Sequence, residues 1–168
     1  MNNKKAKIFA LTALIIYITI MIYFMFFWRR GISYQYLYNL KPFKSIYEYF
    51  ETYMRYVKNT PDIPHHVYVF NINIAFRALV LNIFGNIGMF IPFGILLTML
   101  FDFKLIKPLI VFEIGLLVLE FTQYITRRGV FDIDDIILNT IGFLIGYALI
   151  KIISKLLEHR RTKQIDKI

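Results

Sequence analysis

Four runs of about twenty residues, each apolar and carrying few charges, limit what this chain can fold into. They cover residues 8–28, 79–101, 105–125 and 133–153. A helix of that length matches the hydrocarbon core of a bilayer, roughly 30 Å thick. In lipid each backbone N–H and C=O must find its partner inside the segment, so runs of this kind fold as helices. The expected fold class is therefore an all-α membrane protein, a four-helix transmembrane bundle with an aromatic-rich outer segment between the first and second spans. The first run follows Lys4, Lys5 and Lys7, as a signal peptide would. It is too long for one, and no small-x-small cleavage site precedes Arg29 and Arg30, so it reads as an uncleaved anchor.

Composition agrees. The 168 residues are 58% hydrophobic, where soluble domains sit near 45–50%. With no cysteine, disulfides and thiolate metal sites are excluded. The net charge is +9, but the basic residues flank the apolar runs, where they act as topology signals and contacts for anionic lipid. No nucleic-acid partner is expected. No phosphate-binding glycine loop, Ser/His/Asp order or metal-ligand set appears, and no cofactor is expected.

The chain reads as a single membrane domain over residues 1–168, with an extracytoplasmic segment at 29–78 and a basic cytoplasmic tail at 154–168. Four spans put both termini on one side. With that side cytoplasmic, Lys4, Lys5, Lys7, Lys104, Lys107, Lys151, Lys155, Arg160, Arg161, Lys163 and Lys167 lie inside. The positive-inside bias favours this orientation, although Arg29 and Arg30 oppose it.

Residues 31–77 hold eight of the twelve tyrosines, a residue suited to the membrane interface. From Lys44 to Lys58 the periodicity is helical, with Ile46, Tyr49, Phe50, Tyr53 and Val57 on one face and Glu51 and Arg55 as an i,i+4 pair elsewhere. This predicts a helix lying flat on the outer leaflet. Two alternating stretches, Tyr34-Tyr36-Tyr38 and Tyr68-Phe70-Ile72-Ile74, suggest short strands separated by Pro61 and Pro64. His65 and His66 have no carboxylate or cysteine at ligand spacing, and no metal site is expected there.

The chemistry lies inside the spans, where an ionisable group costs about 2.5–3.5 kcal/mol or more and faces the bundle or a wet cavity. Asp132, Asp135, Asn139, Gly142 and Gly146 form one stripe along the fourth span. Glu120 and Gln123 share a face of the third, with Arg127 and Arg128 just beyond it. The second carries Asn82 and Asn86, then Pro92 and Gly94. Because the spans alternate in direction, these polar groups converge in one half of the bundle, the outer half in the orientation above. They suit either a hydrogen-bond network that pins the helices or a site for a lipid headgroup, a peptide terminus or a phosphate. Glu113 lies deeper, two turns below Glu120, and either carries protons or pairs with an amide.

The same residues resemble the VanZ-like family of bacterial membrane proteins. Asn39-Leu-Lys-Pro42-Phe43 is similar to the family's motif before the second span. Asn86 with Phe90-Ile-Pro92-Phe93-Gly94 is similar to a second. Glu120-x-x-Gln123, then Arg128, Asp132, Asp135, Asn139, Gly142 and Gly146, is similar to a third. Glu113 and Asp134 have no counterpart in that pattern. The resemblance implies a four-span protein of the bacterial plasma membrane, in a family whose founding member is associated with low-level resistance to the lipoglycopeptide teicoplanin. It makes Asn39, Asn86, Glu120, Gln123, Arg128, Asp132, Asp135 and Asn139 the candidate functional cluster.

The leading expectation is a non-enzymatic envelope protein that modulates teicoplanin susceptibility by acting on or binding a cell-wall lipid or the antibiotic at the outer leaflet. Its partners would be membrane lipids, a lipid-linked cell-wall intermediate or a lipoglycopeptide. The alternatives are a membrane-embedded enzyme using Glu120, Asp132 and Asp135 on a lipid-linked substrate, and a small transporter or flippase subunit with Glu113 in its path. Oligomeric state is not legible.

Overall fold

The computed structural model describes residues 3–28, 37–58 and 64–165. Six α-helices account for nearly all of it: α1 (Asn3–Tyr23), α2 (Lys44–Lys58), α3 (His65–Val80), α4 (Asn86–Leu100), α5 (Ile106–Ile125) and α6 (Ile133–Ile165). Phe24–Trp28 continue α1 with wider, π-type turns, and Leu81–Gly85 do the same between α3 and α4. Four helical stretches are long and apolar enough to cross a membrane: Lys4–Phe26, His65–Leu100, Ile106–Ile125 and Ile133–Arg160. The four-helix transmembrane architecture expected from the apolar runs is thus present.

The second crossing starts earlier than its apolar run. At 36 residues, His65–Leu100 extends over roughly 54 Å at 1.5 Å per residue, more than a bilayer core. The strand suggested by Tyr68, Phe70, Ile72 and Ile74 is part of this helix. Alternation over so short a stretch does not override helical backbone bonding that continues into an apolar span. Of the other suggested strand, Tyr34 and Tyr36 lie outside the described residues. Tyr38–Asn39 do form a strand, β1, which pairs in parallel with β2 (Phe131–Asp132), Tyr38 opposite Phe131 and Asn39 opposite Asp132. The fourth helix likewise continues beyond residue 153, through a charged extension to Ile165. Arg29, Arg30 and Pro61 fall outside the described residues.

The bundle is built around the contact of α4 with α6. These helices run in the same direction, with Gly142 against the Ile87 carbonyl and Gly146 against the Ile91 carbonyl and the Gly94 Cα. A Cβ on any of these three glycines would collide with facing backbone. In lipid, where apolar burial between helices gains little, such close small-residue packing is what holds helices together. Below it lies an aromatic core. Phe112 and Phe143 stack with ring centres 4.6 Å apart, and Phe90 meets Phe112 edge-on at 5.6 Å. Tyr17 on α1 joins it, edge-on to Phe93 and donating its hydroxyl to the Met89 carbonyl at 2.7 Å.

The two ends of the bundle differ. At one end Lys7 pairs with Asp102 of the α4–α5 turn at 2.8 Å. The other end is closed by α2 and the β1–β2 ladder. There α2 packs on α3, with Tyr53 against Phe76 and the Tyr68 hydroxyl donating to the Tyr56 carbonyl at 2.9 Å. Ile46 and Tyr53 of its expected apolar face are half-buried, while Tyr49, Phe50 and Val57 are exposed. The i,i+4 ion pair on α2 is Lys44–Glu48 at 3.5 Å; Glu51 and Arg55 form none among the described residues.

Candidate functional site

The candidate residues separate into three groups at the capped end. The first group ties the cap to α6. Asp132 precedes α6 and accepts the Asp134 backbone N–H at 2.9 Å, the bond of a helix N-cap. The same carboxylate accepts the Asn39 amide at 3.1 Å and the Ser45 hydroxyl, and Asn39 also donates to Ser45 at 2.9 Å. Asp134, fully buried, turns the other way and caps α2. Its carboxylate accepts backbone N–H groups from Phe43, from Ser45 at 2.8 Å and from Ile46 at 3.3 Å. The start of a helix leaves such donors unsatisfied and carries partial positive charge, so a carboxylate from a distant helix is a fitting partner. Phe43 enters this arrangement with a φ of 64°, a conformation costly for a bulky residue.

Sequence reasoning missed Asp134 and Ser45. Asp134 stands off the 132–135–139 stripe, and its partners lie about ninety residues earlier. An acid in the first turn of α6 was the available signal, but it pointed to the wrong helix.

The second group lies in the bundle interior. Asn86, the first residue of α4, donates its amide to Asp135 of α6. Asn139, one turn further along α6, and Glu120 of α5 are each 2% exposed. Among the described residues, neither the Glu120 Oε2 nor the Asn139 Oδ1 has a hydrogen-bond partner. Glu120 also stands within electrostatic reach of Asp135 and Asp132. One turn deeper on each helix is an apolar residue: Phe90 below Asn86, Leu116 below Glu120 and Phe143 below Asn139. A polar layer thus rests directly on the aromatic core. Asn82, in the π-type turn leading into α4, adds another buried oxygen without a partner. Turns of this type recur at functional sites.

The third group is the α5–α6 connection. The α5 helix ends with Arg128 N–H bonded to the Gln123 carbonyl at 3.0 Å and Arg127 at a φ of 55°. This is a Schellman closure with arginine where glycine is usual. Gln123 does not join Glu120; its side chain lies against Gly129. The Arg128 guanidinium reaches back to the Phe26 carbonyl at the end of α1. Among the described residues Arg128 makes no ion pair with the acids, because the loop carries it toward α1 and away from α6. Glu113 is deeper in the bundle, 2.8 Å from the Thr140 hydroxyl.

The VanZ/LLP1 family model matches residues 10–154, overlapping all four spans and covering every candidate residue. The chain belongs to the VanZ/LLP1 family. A curated relative, Protein VanZ of Enterococcus faecium, is 36% identical over 84 residues, which are 49% of this chain and 50% of the relative. The chain thus spans about half the length of the curated relative it matches. No solved structure matches it.

Among the described residues no group of three His, Cys, Asp or Glu side chains is placed to hold a metal ion. The arrangement in this VanZ/LLP1 member is a layer of acceptor oxygens beneath a tethered cap. Its unused capacity calls for hydrogen-bond donors.

Proposed function

We propose that this VanZ/LLP1 protein sits in the plasma membrane with both termini cytoplasmic and lowers susceptibility to teicoplanin. It does so by binding, at the outer leaflet, a lipid-linked cell-wall intermediate or the antibiotic itself. The observation that carries this reading is the pair of buried acceptors, Glu120 Oε2 and Asn139 Oδ1, left without donors. Each such group costs a fold about 1–3 kcal/mol. A ligand headgroup rich in amide, hydroxyl or amine hydrogens would offset that cost on binding. Its amphiphilic character suits a site whose polar layer rests on aromatic rings. The relative named Protein VanZ supports the antibiotic context.

The test is expression in a susceptible Gram-positive host, with teicoplanin and vancomycin titrated against wild type, Glu120→Gln and Asp135→Asn at equal membrane abundance. Selective protection against teicoplanin by wild type, lost in both variants, is the expected result. A well-expressed wild type without protection would overturn the antibiotic reading.

A further inference from the structure

A groove of about 570 Å³ runs along the side of the bundle between α1 and α5. Leu14, Ile18 and Met21 form one wall, Gly115 and Leu119 the other, and Phe93 of α4 the floor. The volume falls in the range of small-molecule sites, about 300–1,000 Å³. Its lining is apolar except for Thr122. Val118, on the rim, is 62% exposed, so the opening faces sideways, where the bilayer would be.

A charge stands next to this lining. Phe26 lines the groove, and its backbone carbonyl accepts a hydrogen bond from Arg128 Nη1. A guanidinium offers five N–H donors in a planar fork, and this is the one bond the Arg128 side chain makes among the described residues. It is half-buried, so its charge is weakly hydrated and available to an anion. An apolar groove open to lipid, with a cation bearing spare donors bonded to its lining at Phe26, has the charge order of a single-chain lipid phosphate.

We infer that the α1–α5 groove binds the aliphatic chain of a lipid phosphate entering from the bilayer, with its phosphate on Arg128. This deepens the proposed function, on which it rests for its biological setting, by naming the membrane-derived ligand class. A bidentate phosphate–guanidinium pair is stronger than a neutral hydrogen bond and discriminates against headgroups whose phosphate is masked by a bulky cation. Gly115 is the natural probe of the channel, because a Cβ there meets nothing within 4 Å. A larger side chain would start from open space at its Cβ and occupy the groove that Gly115 lines.

The experiment uses the full chain in detergent micelles, with lysophosphatidic acid and lysophosphatidylcholine of equal chain length titrated by native mass spectrometry. Wild type should prefer lysophosphatidic acid on the order of tenfold, the worth of about 1.4 kcal/mol. Arg128→Gln should bring the two lipids to equal affinity, and Arg128→Lys should keep part of the preference, since it retains charge without the fork. Gly115→Leu should weaken both lipids while leaving the melting temperature unchanged. Equal binding of the two lipids by wild type, a preference surviving Arg128→Gln, or full binding by Gly115→Leu would each overturn the inference. Teicoplanin protection is read separately in cells. Loss of protection with lipid-phosphate selectivity intact refutes the antibiotic reading alone, and protection without that selectivity refutes the groove assignment alone.

Discussion

Asp134 of α6 accepts the backbone N–H of Ser45 of α2 at 2.8 Å, joining the first turns of two helices separated by the rest of the bundle in sequence. The neighbouring N–H groups of Phe43 and Ile46 converge on the same carboxylate. One buried side chain thus sets where the cap lies relative to the polar layer beneath it.

Replacing Asp134 should release the cap without dissolving the bundle. Asp134→Ala strips the α2 N-terminus of its acceptor and should cost about 1–3 kcal/mol, the penalty for leaving buried donors unmade. Asp134→Asn keeps one acceptor oxygen and should cost less. Hydrogen exchange checks both: α2 amides should exchange faster in Asp134→Ala, and those of α4 and α6 should stay protected.

The α4–α6 seam should fail by overpacking. Gly142→Leu or Gly146→Leu drives a side chain into the Ile87 or Ile91 carbonyl and should destabilise by at least about 1–3 kcal/mol, with a lower melting temperature in detergent. Gly88→Ala, on the same α4 helix but with open space at its Cβ, should raise stability by roughly 0.5–1 kcal/mol through helix propensity. A thermal-unfolding series on the three variants separates seam contact from glycine content.

The seam was legible in the sequence because Gly142 and Gly146 lie one turn apart on a stripe, and helical periodicity alone puts them on one face. The convergence of Asn86, Glu120, Asp135 and Asn139 was legible for a similar reason: three spans of alternating direction bring equal depths together. The tether of α2 was not. Its geometry depends on a β1–β2 ladder two residues long and on a carboxylate off the stripe, features that no period marks. Arg128 was found as a candidate but its contact with α1 was not, because the turn that redirects it requires a left-handed residue, and Arg127 gives no sequence hint of one.

Orientation decides which leaflet the polar layer serves. The chain has no cysteine, so single introduced thiols report without background. Glu51→Cys on α2 and Thr162→Cys near the end of α6 are both at exposed positions. In intact cells a membrane-impermeant maleimide should label Glu51→Cys and should reach Thr162→Cys after lysis alone. The reverse pattern would move the cap and the polar layer to the cytoplasmic face and remove the outer-leaflet reading.

Asn139 offers the sharpest separation of structural from functional roles. Its Oδ1 is buried without a partner, so it lowers stability as the fold stands. Replacing a buried, unsatisfied polar group by an apolar one of similar shape is neutral or stabilising. Asn139→Leu should therefore leave the melting temperature equal or higher. A pinning network predicts the opposite, a loss of about 1–3 kcal/mol when a paired group is removed. If the layer receives a ligand's donors, the same variant should lose teicoplanin protection in cells while being at least as stable as wild type. Stability and function moving in opposite directions would mark the oxygen as kept for a ligand; a joint fall would mark it as structural.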